Sequence, residues 1–339
     1  MIRFESDYLE GAHPRILARM METNLDQTPG YGTDEICAHA RELIRQRIAR
    51  PDADIHFLVG GTQTNFTFLS AALRPHQGAL SADTGHIAVH ETGAIEAGGH
   101  KVIALPAVDG KLAAGQVSEY CRNHFSDASR EHTVMPKVVY ISYPTELGTL
   151  YTRSELNALR GVCDEWNLYL YIDGARIGYG LASDECDIDL PFIASVSDAF
   201  YIGGTKQGAL FGEALVLLNP ALKEDFRYIL KQNGGIVLRA QLQRLGDLLT
   251  GDGAEQTAPL TGPGGDLHLA ALQLLGQRLG LGLFLGLAGL LGLVLHLHGV
   301  HGVGRGLHGQ LAGEKEVAAV AVRDLHHLAP LALTLYVLL

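Results

Sequence analysis

Apolar residues recur between residues 34 and 240 in two alternating patterns, one with helical spacing and one as short continuous runs. Helical spacing is present in "DEICAHARELIRQRIA", with acids early and arginines late, as the helix dipole favours. Two further helices are predicted, at "NFTFLSAAL" and at "SELNALRGVCDEWN", where Ser154 is the expected N-cap. The short apolar runs predict strands at "DIHFLVGG", "GHKVIAL", "PKVVYIS", "LYLYID" and "DAFYIGG".

The alternation of strands and helices predicts the α/β class. Strands that are apolar throughout are typical of a parallel sheet covered by helices on both faces. We therefore expect a three-layer large domain with a mainly parallel sheet over residues 31–236, preceded by an N-terminal segment over residues 1–30. In sheets of this kind, ligands bind at the carboxyl ends of the strands.

The composition changes abruptly beyond residue 260. Residues 261–339 contain no Ser, Asn, Ile, Met or Cys, while Leu, Gly, Ala, Val and His are abundant. Three interpretations stay open for residues 237–339: a small C-terminal α+β domain of unusual composition, a membrane span in the glycine-rich stretch 279–295, or translation of the wrong reading frame of a GC-rich gene. The loss of whole residue classes favours the last. Few acids or cysteines accompany the histidines there, so we predict no metal site.

Charge and cysteine content narrow the function classes. The 37 acidic residues against 26 basic ones give a net charge of −11, which argues against a nucleic-acid or anionic-membrane partner. The N-terminal stretch is charged from residue 3 and lacks the apolar core of a signal peptide. Scattered cysteines without a CxxC pair indicate reduced thiols in a cytoplasmic protein, at Cys37, Cys121, Cys163 and Cys186.

A lysine in an apolar segment is the first candidate for chemistry. Lys206 follows two glycines and a threonine in "FYIGGTKQGALFGEALVLL", a stretch otherwise suited to a buried strand. A lysine is almost never fully buried unless it is paired or reactive, although a surface turn with a solvated lysine would have the same sequence. Asp173 and Arg176, in "YIDGARIGYG", follow another apolar strand; the bland alternative for Asp173 is a cap of the next segment.

These charged groups at neighbouring strand ends suit pyridoxal phosphate. Its aldehyde reacts with a lysine, its ring nitrogen needs an acidic partner, and its phosphate needs backbone donors at a helix start. "VGGTQTNFTF" offers such a start at Gly61 and Thr62, and it is neither a Walker loop nor a dinucleotide loop. His86, in "ADTGHIAVHETGAIEAGGH", is placed either to stack on a flat ring or to bind a loop.

Together these motifs resemble the pyridoxal-phosphate-dependent threonine aldolases, in the β-eliminating lyase group of the aspartate-aminotransferase fold (fold type I). The resemblance covers about residues 1–236 and runs through "SDYLEGAHPRIL", "YGTDEICAHAREL", "GGTQTN", "ADTGHIAVHETGAIEAGGHKV", "YIDGARIG" and "YIGGTKQGALFGEALV". It implies a pyridoxal-phosphate-dependent, transferase-like large domain and a homodimer or homotetramer with its sites at the dimer interface.

The resemblance also implies a role for each site residue. Lys206 would bond covalently to the cofactor, Asp173 would pair with its ring nitrogen, and His86 would stack on its ring and help to move a proton. Arg176 would contact the cofactor or the substrate carboxylate. Gly61 and Thr62 would hold the cofactor phosphate, and Ser6 would contact the substrate carboxylate. Tyr31 would approach the site of a partner subunit.

Two departures from the family pattern qualify these implications. Many threonine aldolases carry a Thr-His pair placed to meet the substrate hydroxyl, where "YPTELGTLYT" has Thr145 followed by Glu146. No motif after residue 240 matches the family's further substrate-binding arginine. We expect a lyase that cleaves L-threonine or L-allo-threonine to glycine and an aldehyde. The alternatives are another pyridoxal-phosphate lyase, an aminotransferase, or a chain that keeps the fold without a completed site.

Overall fold

The computed structural model describes residue 3 and residues 5–236. Every interpretation of residues 237–339, including the small α+β domain, the aberrant tail and the membrane span, falls outside the described residues. Within residues 5–236 no helix combines the length and the apolarity needed to cross a membrane. The four cysteines are free thiols, and three of them are buried.

Seven strands form one mixed sheet at the centre of the described region. Their order is β1-β7-β6-β5-β4-β2-β3. The strand bounds are β1 Asp54–Leu58, β2 Gln77–Ala82, β3 Lys101–Leu105, β4 Met135–Ser142, β5 Tyr169–Asp173, β6 Ala199–Gly203 and β7 Glu213–Leu217. Neighbours from β6 to β3 are parallel, whereas β7 runs antiparallel to both β6 and β1. The predicted α/β class with a mainly parallel sheet is confirmed.

Helices cover both faces of this sheet. The described α-helices are α1 Pro14–Glu22, α2 Glu35–Arg47, α3 Gly61–Ala72, α4 His86–Val89, α5 Ala94–Ala97, α6 Ala114–Ser126, α7 Arg153–Glu165, α8 Ile177–Leu181, α9 Leu190–Val196 and α10 Phe226–Gln232. Short 3-10 helices lie at Arg130–His132 and Pro220–Leu222. The sequence-predicted strands and helices are all present. Strands β2 and β7 and the other seven described α-helices were not among the predicted elements.

Successive side chains of each strand enter two separate cores, which makes the region three-layered. Leu170 and Ile172 of β5 pack in a core with residues of α2, α6, α7 and α9, whereas Tyr171 packs in the core with residues of α3, α5 and α10. Because strand side chains alternate between faces, Asp173 projects to the same side as Tyr171. The last residue of β5 therefore faces the layer that contains α3.

The start of α7 corrects one local prediction. The N-cap is Thr152, not Ser154: the Thr152 side chain accepts the backbone N–H of Glu155, and the Glu155 carboxylate accepts the Thr152 N–H at 2.7 Å. This reciprocal pair is a capping box, which satisfies two helix-end donors at once. Ser154 lies inside the first turn, so it is not the N-cap.

Candidate active site

The sequence-predicted residues follow strands that end at one edge of the sheet. Because β1 and β6 are both antiparallel to β7, β1 points the same way as β6 and as the parallel strands beside it. The carboxyl ends of β1, β2, β5 and β6 therefore lie at a common edge. Asp173 ends β5, and the segments after the other three strands carry Gly61, His86 and Lys206. A cleft of about 1130 Å³ opens there, and His86 and Lys206 line it.

Lys206 lies in the loop between β6 and β7. Its ammonium group is 5.7 Å from the centre of the Tyr8 ring, within the range of a cation–π contact. The Lys206 carbonyl accepts the hydroxyl of Tyr179 at 2.6 Å, and both tyrosines also line the cleft. Lys206 thus faces the cleft and is not buried in the sheet. A lysine can therefore directly follow an apolar strand, because its charge lies beyond the buried part of that strand.

A buried carboxylate binds both ends of the loop between β6 and β7, directly at one end and through Thr205 at the other. Glu213, the first residue of β7 and 5% exposed, accepts the Gly204 N–H and the Thr205 hydroxyl, each at 3.0 Å. The Thr205 hydroxyl in turn accepts the N–H of Gly212 at 3.1 Å. Burial raises the pKa of Glu213 to about 8, while the two hydrogen bonds and the charge of Lys206 act in the opposite direction.

Asp173 is 3% exposed and bound by four donors. One carboxylate oxygen accepts the Tyr201 hydroxyl at 2.5 Å and the Ala175 N–H at 3.0 Å; the other accepts the Tyr140 hydroxyl at 2.6 Å and the Asn65 amide at 2.9 Å. A carboxylate has about four lone-pair positions, so each is used. The arrangement fixes the carboxylate at the end of β5 and balances its burial with hydrogen bonds.

Asn65 links Asp173 to a second buried carboxylate. Its amide nitrogen also donates to Glu91 at 2.7 Å, and its oxygen accepts the Tyr171 hydroxyl at 2.9 Å. The same Glu91 oxygen lies 2.9 Å from Nδ1 of His86. This hydrogen bond raises the pKa of His86, and the negative charge of Asp173 adds to the effect against the desolvation of the ring.

Glu146 enters the site beside His86. Its Oε1 accepts the backbone N–H of His86 at 2.8 Å and the hydroxyl of Ser142 at 2.5 Å. Ser142 ends β4, the strand next to β5, and the Glu146 side chain lines the same cleft as Lys206. The residue that departs from the family's Thr-His pattern is therefore part of the cleft wall.

The start of α3 has no side-chain cap. Its N-cap is Gly60, and no side chain caps the first turn, so backbone N–H groups without intrahelical partners are directed outward. Gly61 suits this position because a Cβ there would lie 3.0 Å from the Tyr201 hydroxyl. Thr62 is exposed at the same turn.

The N-terminal segment brings Asp7 to Arg176. The guanidinium group binds the Asp7 carboxylate through two nitrogens, one pair at 3.0 Å and a shorter one between Nε and Oδ2. This pairing lowers the pKa of Asp7 and raises that of Arg176. Arg176 lines the cleft, so the interaction holds the guanidinium group at its wall. The neighbouring Ser6 hydroxyl is buried and has no hydrogen-bond partner among the described residues.

Tyr31 lies apart from this group. Its ring is 4.7 Å from the ammonium group of Lys231, its carbonyl accepts from Arg227, and it is not among the residues that line the cleft. The expectation that Tyr31 approaches a site in a partner subunit stays a prediction.

Several site residues were missed by sequence reasoning. Their roles depend on contacts that the fold creates, so nothing in their local sequence marks them; they are Asp7, Asn65, Glu91, Tyr140, Tyr201 and Glu213. Within residues 5–236 no group of three His, Cys, Asp or Glu side chains is arranged to hold a metal ion.

Comparisons with known proteins give the family context. The low specificity L-threonine aldolase of Pseudomonas aeruginosa is 33% identical over 235 residues, 68% of this chain and 66% of that protein. A structure of threonine aldolase from Leishmania major matches with 46% identity and a TM-score of 0.70, covering 73% of this chain and 72% of that chain. Cystalysin from Treponema denticola, whose structure contains pyridoxal 5'-phosphate, has a TM-score of 0.54 at 13% identity, covering 71% and 62%, which shows the shared fold alone.

The match to a family model covers more of the chain than any of these. The beta-eliminating lyase model matches residues 3–290, which extends beyond the described residues, while the chain spans 66% of the length of the curated Pseudomonas relative. The resemblance predicted from the motifs is confirmed: this chain belongs to the beta-eliminating lyase family.

Proposed function

We propose that this chain is a pyridoxal-phosphate-dependent lyase that cleaves a β-hydroxy-α-amino acid, L-threonine or L-allo-threonine, to glycine and an aldehyde. The observation that carries the proposal is the placement of Lys206 on a cleft at the sheet edge where the buried Asp173 carboxylate ends β5. The names of the Pseudomonas and Leishmania relatives support the choice of substrate.

The residues at this edge fit pyridoxal phosphate. An uncapped helix start suits the phosphate, a cleft-lining amine suits the aldehyde, and a buried carboxylate suits a protonated ring nitrogen. The Thr84 hydroxyl and one Glu91 oxygen are buried without a partner among the described residues, so the site has unused hydrogen-bonding capacity. When bound, the cofactor supplies an electrophilic carbon and a ring that accepts an electron pair.

Binding at Asp173 requires an exchange of donors, because its four acceptor positions are taken. Tyr140 is the donor with an alternative, since its hydroxyl also lies 3.3 Å from the Ser142 hydroxyl. Asp173 would hold the ring nitrogen if Tyr140 turned to Ser142, and Tyr201, Asn65 and the Ala175 N–H would keep the carboxylate oriented. The negative charge of Asp173 then favours the protonated form of the nitrogen.

The other side chains bind and orient the substrate. Arg176 would hold the substrate carboxylate in bidentate fashion, in exchange for Asp7. The Ser6 hydroxyl, which is buried without a partner among the described residues, would donate to the same carboxylate once it is exposed to the cleft. His86, held at Nδ1 by Glu91, presents a flat imidazole at the cleft wall. Its raised pKa favours a ring that holds a proton.

We also propose a homodimer or homotetramer in the cytoplasm, with Tyr31 near the site of a partner subunit. The exposure of Tyr31 supports its contact with a partner subunit. The prediction of reduced thiols supports the cytoplasm. Light scattering of the purified chain would measure the oligomeric state.

The test of the function uses the full chain with added pyridoxal phosphate. We expect acetaldehyde release from L-threonine and a visible absorbance band, both abolished in Lys206→Ala and both retained in Lys101→Ala, which removes an exposed lysine at the far edge of the sheet. Release of 2-oxobutanoate and ammonia from L-threonine would instead indicate β-elimination, and formation of 3-hydroxy-2-oxobutanoate without free ammonia would indicate transamination. The absence of any band that depends on Lys206 would refute the cofactor assignment.

A further inference from the structure

One cleft-lining carboxylate has no place in the roles assigned above. Glu146 is half-buried, and its Oε1 is fixed by two donors, the Ser142 hydroxyl at 2.5 Å and the His86 N–H at 2.8 Å. No hydrogen bond to its Oε2 is found among the described residues. A carboxylate held at one oxygen, with the other able to accept a proton, has the form of a positioned general base.

The other ionisable groups of the cleft are less suited to accept a proton. The Glu91 carboxylate at Nδ1 raises the pKa of His86, which favours the protonated ring. The Tyr179 hydroxyl is already a donor to the Lys206 carbonyl, and the Asp187 carboxylate accepts the N–H of Arg153. Glu146, Glu185 and His90 are the remaining proton acceptors that line the cleft. Glu185 and His90 are exposed, whereas Glu146 is half-buried and accepts the backbone N–H of His86.

We propose that Glu146 is the catalytic base that removes the proton from the substrate's β-hydroxyl group. The proposal rests on the proposed function. The O–H proton moves to Oε2 of Glu146, the electron pair of that O–H bond forms the C=O bond of the aldehyde, and the Cα–Cβ bond breaks. Its electron pair stays with the glycine portion, whose α-carbon then takes one proton, so that atoms and charge balance.

Glycine provides an internal reference reaction. Exchange of its α-proton with solvent requires the cofactor and Lys206 but involves no β-hydroxyl group. We expect Glu146→Gln, which keeps an oxygen for the Ser142 and His86 donors, to lower the rate of L-threonine cleavage by about 100-fold or more, the range of general base catalysis. We expect the same variant to exchange the glycine α-proton within about threefold of the original chain, since the bonds that orient the site are kept. Glu185→Gln, the same change at an exposed carboxylate of the cleft, is the matched control.

The ratio of cleavage to exchange decides the proposal. A ratio that falls in Glu146→Gln and not in Glu185→Gln supports it, and an equal loss of both reactions, or no loss, overturns it. The melting temperature of each variant, measured without added pyridoxal phosphate, distinguishes a catalytic role of Glu146 from a structural one. A structural role would lower the rates of both reactions and the melting temperature together.

Two further outcomes are distinguished by the same assays. If Glu146→Gln does not fold, Glu146→Asp replaces it: this variant keeps the charge one methylene shorter, and an unchanged ratio would again overturn the proposal. If the original chain shows neither exchange nor cleavage that depends on Lys206, the proposed function fails first, and the role of Glu146 fails with it.

Discussion

Replacement of Glu213 by Gln should remove a pH-dependent part of the protein's stability. In the folded chain this carboxyl group is buried under the Lys206 loop, and burial raises its pKa from 4.5 to about 8. In the unfolded chain it would ionise in water at its ordinary pKa. Between these two values the folded state therefore binds a proton that the unfolded state has released.

The sign and size follow from this difference in proton binding. Stability falls with rising pH wherever the folded state binds more protons than the unfolded state. The free energy of unfolding should therefore decline between pH 4.5 and about 8 and level off above that. The pKa of Glu213 rises by 3.5, from 4.5 to about 8, on folding. This shift corresponds to a loss of about 5 kcal/mol of unfolding free energy over the whole range, or about 1.4 kcal/mol per pH unit.

Urea unfolding of the full chain at a series of pH values would measure the effect. The free energy of unfolding of the original chain minus that of Glu213→Gln should fall by several kcal/mol from about pH 5 to about pH 9, because Gln does not titrate. Glu119→Gln, at an exposed carboxylate of α6, gives the background for removing one surface charge. A difference that stays constant across this pH range would refute the assignment of a buried, proton-binding Glu213.

Three other substitutions test separate parts of the structure. Asp173→Asn should lower lyase activity at least about 100-fold in an acetaldehyde assay, because an amide cannot hold a protonated ring nitrogen as a carboxylate does; activity close to that of the original chain would contradict the role. Burial lowers the pKa of His56 from 6.5 to about 3, so the unfolded state binds the extra proton and stability is lost as the pH falls through that window. His56→Leu should flatten this acid loss in urea unfolding, and a slope equal to that of the original chain would count against it. Thr152→Ala should cost about 1 kcal/mol of unfolding free energy through loss of the α7 cap, whereas Ser154→Ala should cost less; the reverse order would restore Ser154 as the cap.

The strands most readily predicted are those whose apolar residues are large or β-branched. "LYLYID" and "DAFYIGG" predict β5 and β6, both of which are buried at nearly every position. Strand β2 was missed because "QGALSA" contains glycine and small residues, which have weak strand preference, although it is buried throughout. The cap of α7 was within reach, since Thr152 followed by Glu155 matches the capping-box signature.

The candidate site was predictable where reactive residues follow strands, and not where partners meet across the fold. Lys206 and Asp173 could be singled out because each interrupts or ends an apolar run, whereas His86 was identified from the "TGH" motif. Glu213 could not, because its importance depends on the antiparallel direction of β7, which brings its first residue to the edge where β6 ends. Likewise, the link from Asn65 to Asp173 joins residues that lie far apart in sequence.

The β6–β7 hairpin, which carries Lys206, limits the insertions and deletions that the chain can accept. Most segments at this sheet edge lead into helices, and such connections commonly tolerate added residues. The segment between β6 and β7 instead leads directly into a neighbouring strand. Glu213 accepts hydrogen bonds from Gly204 and Thr205, at the start of this segment. An insertion there would displace the lysine relative to Asp173 without displacing the strands, so we expect length changes among relatives to occur in other loops while this one keeps its length.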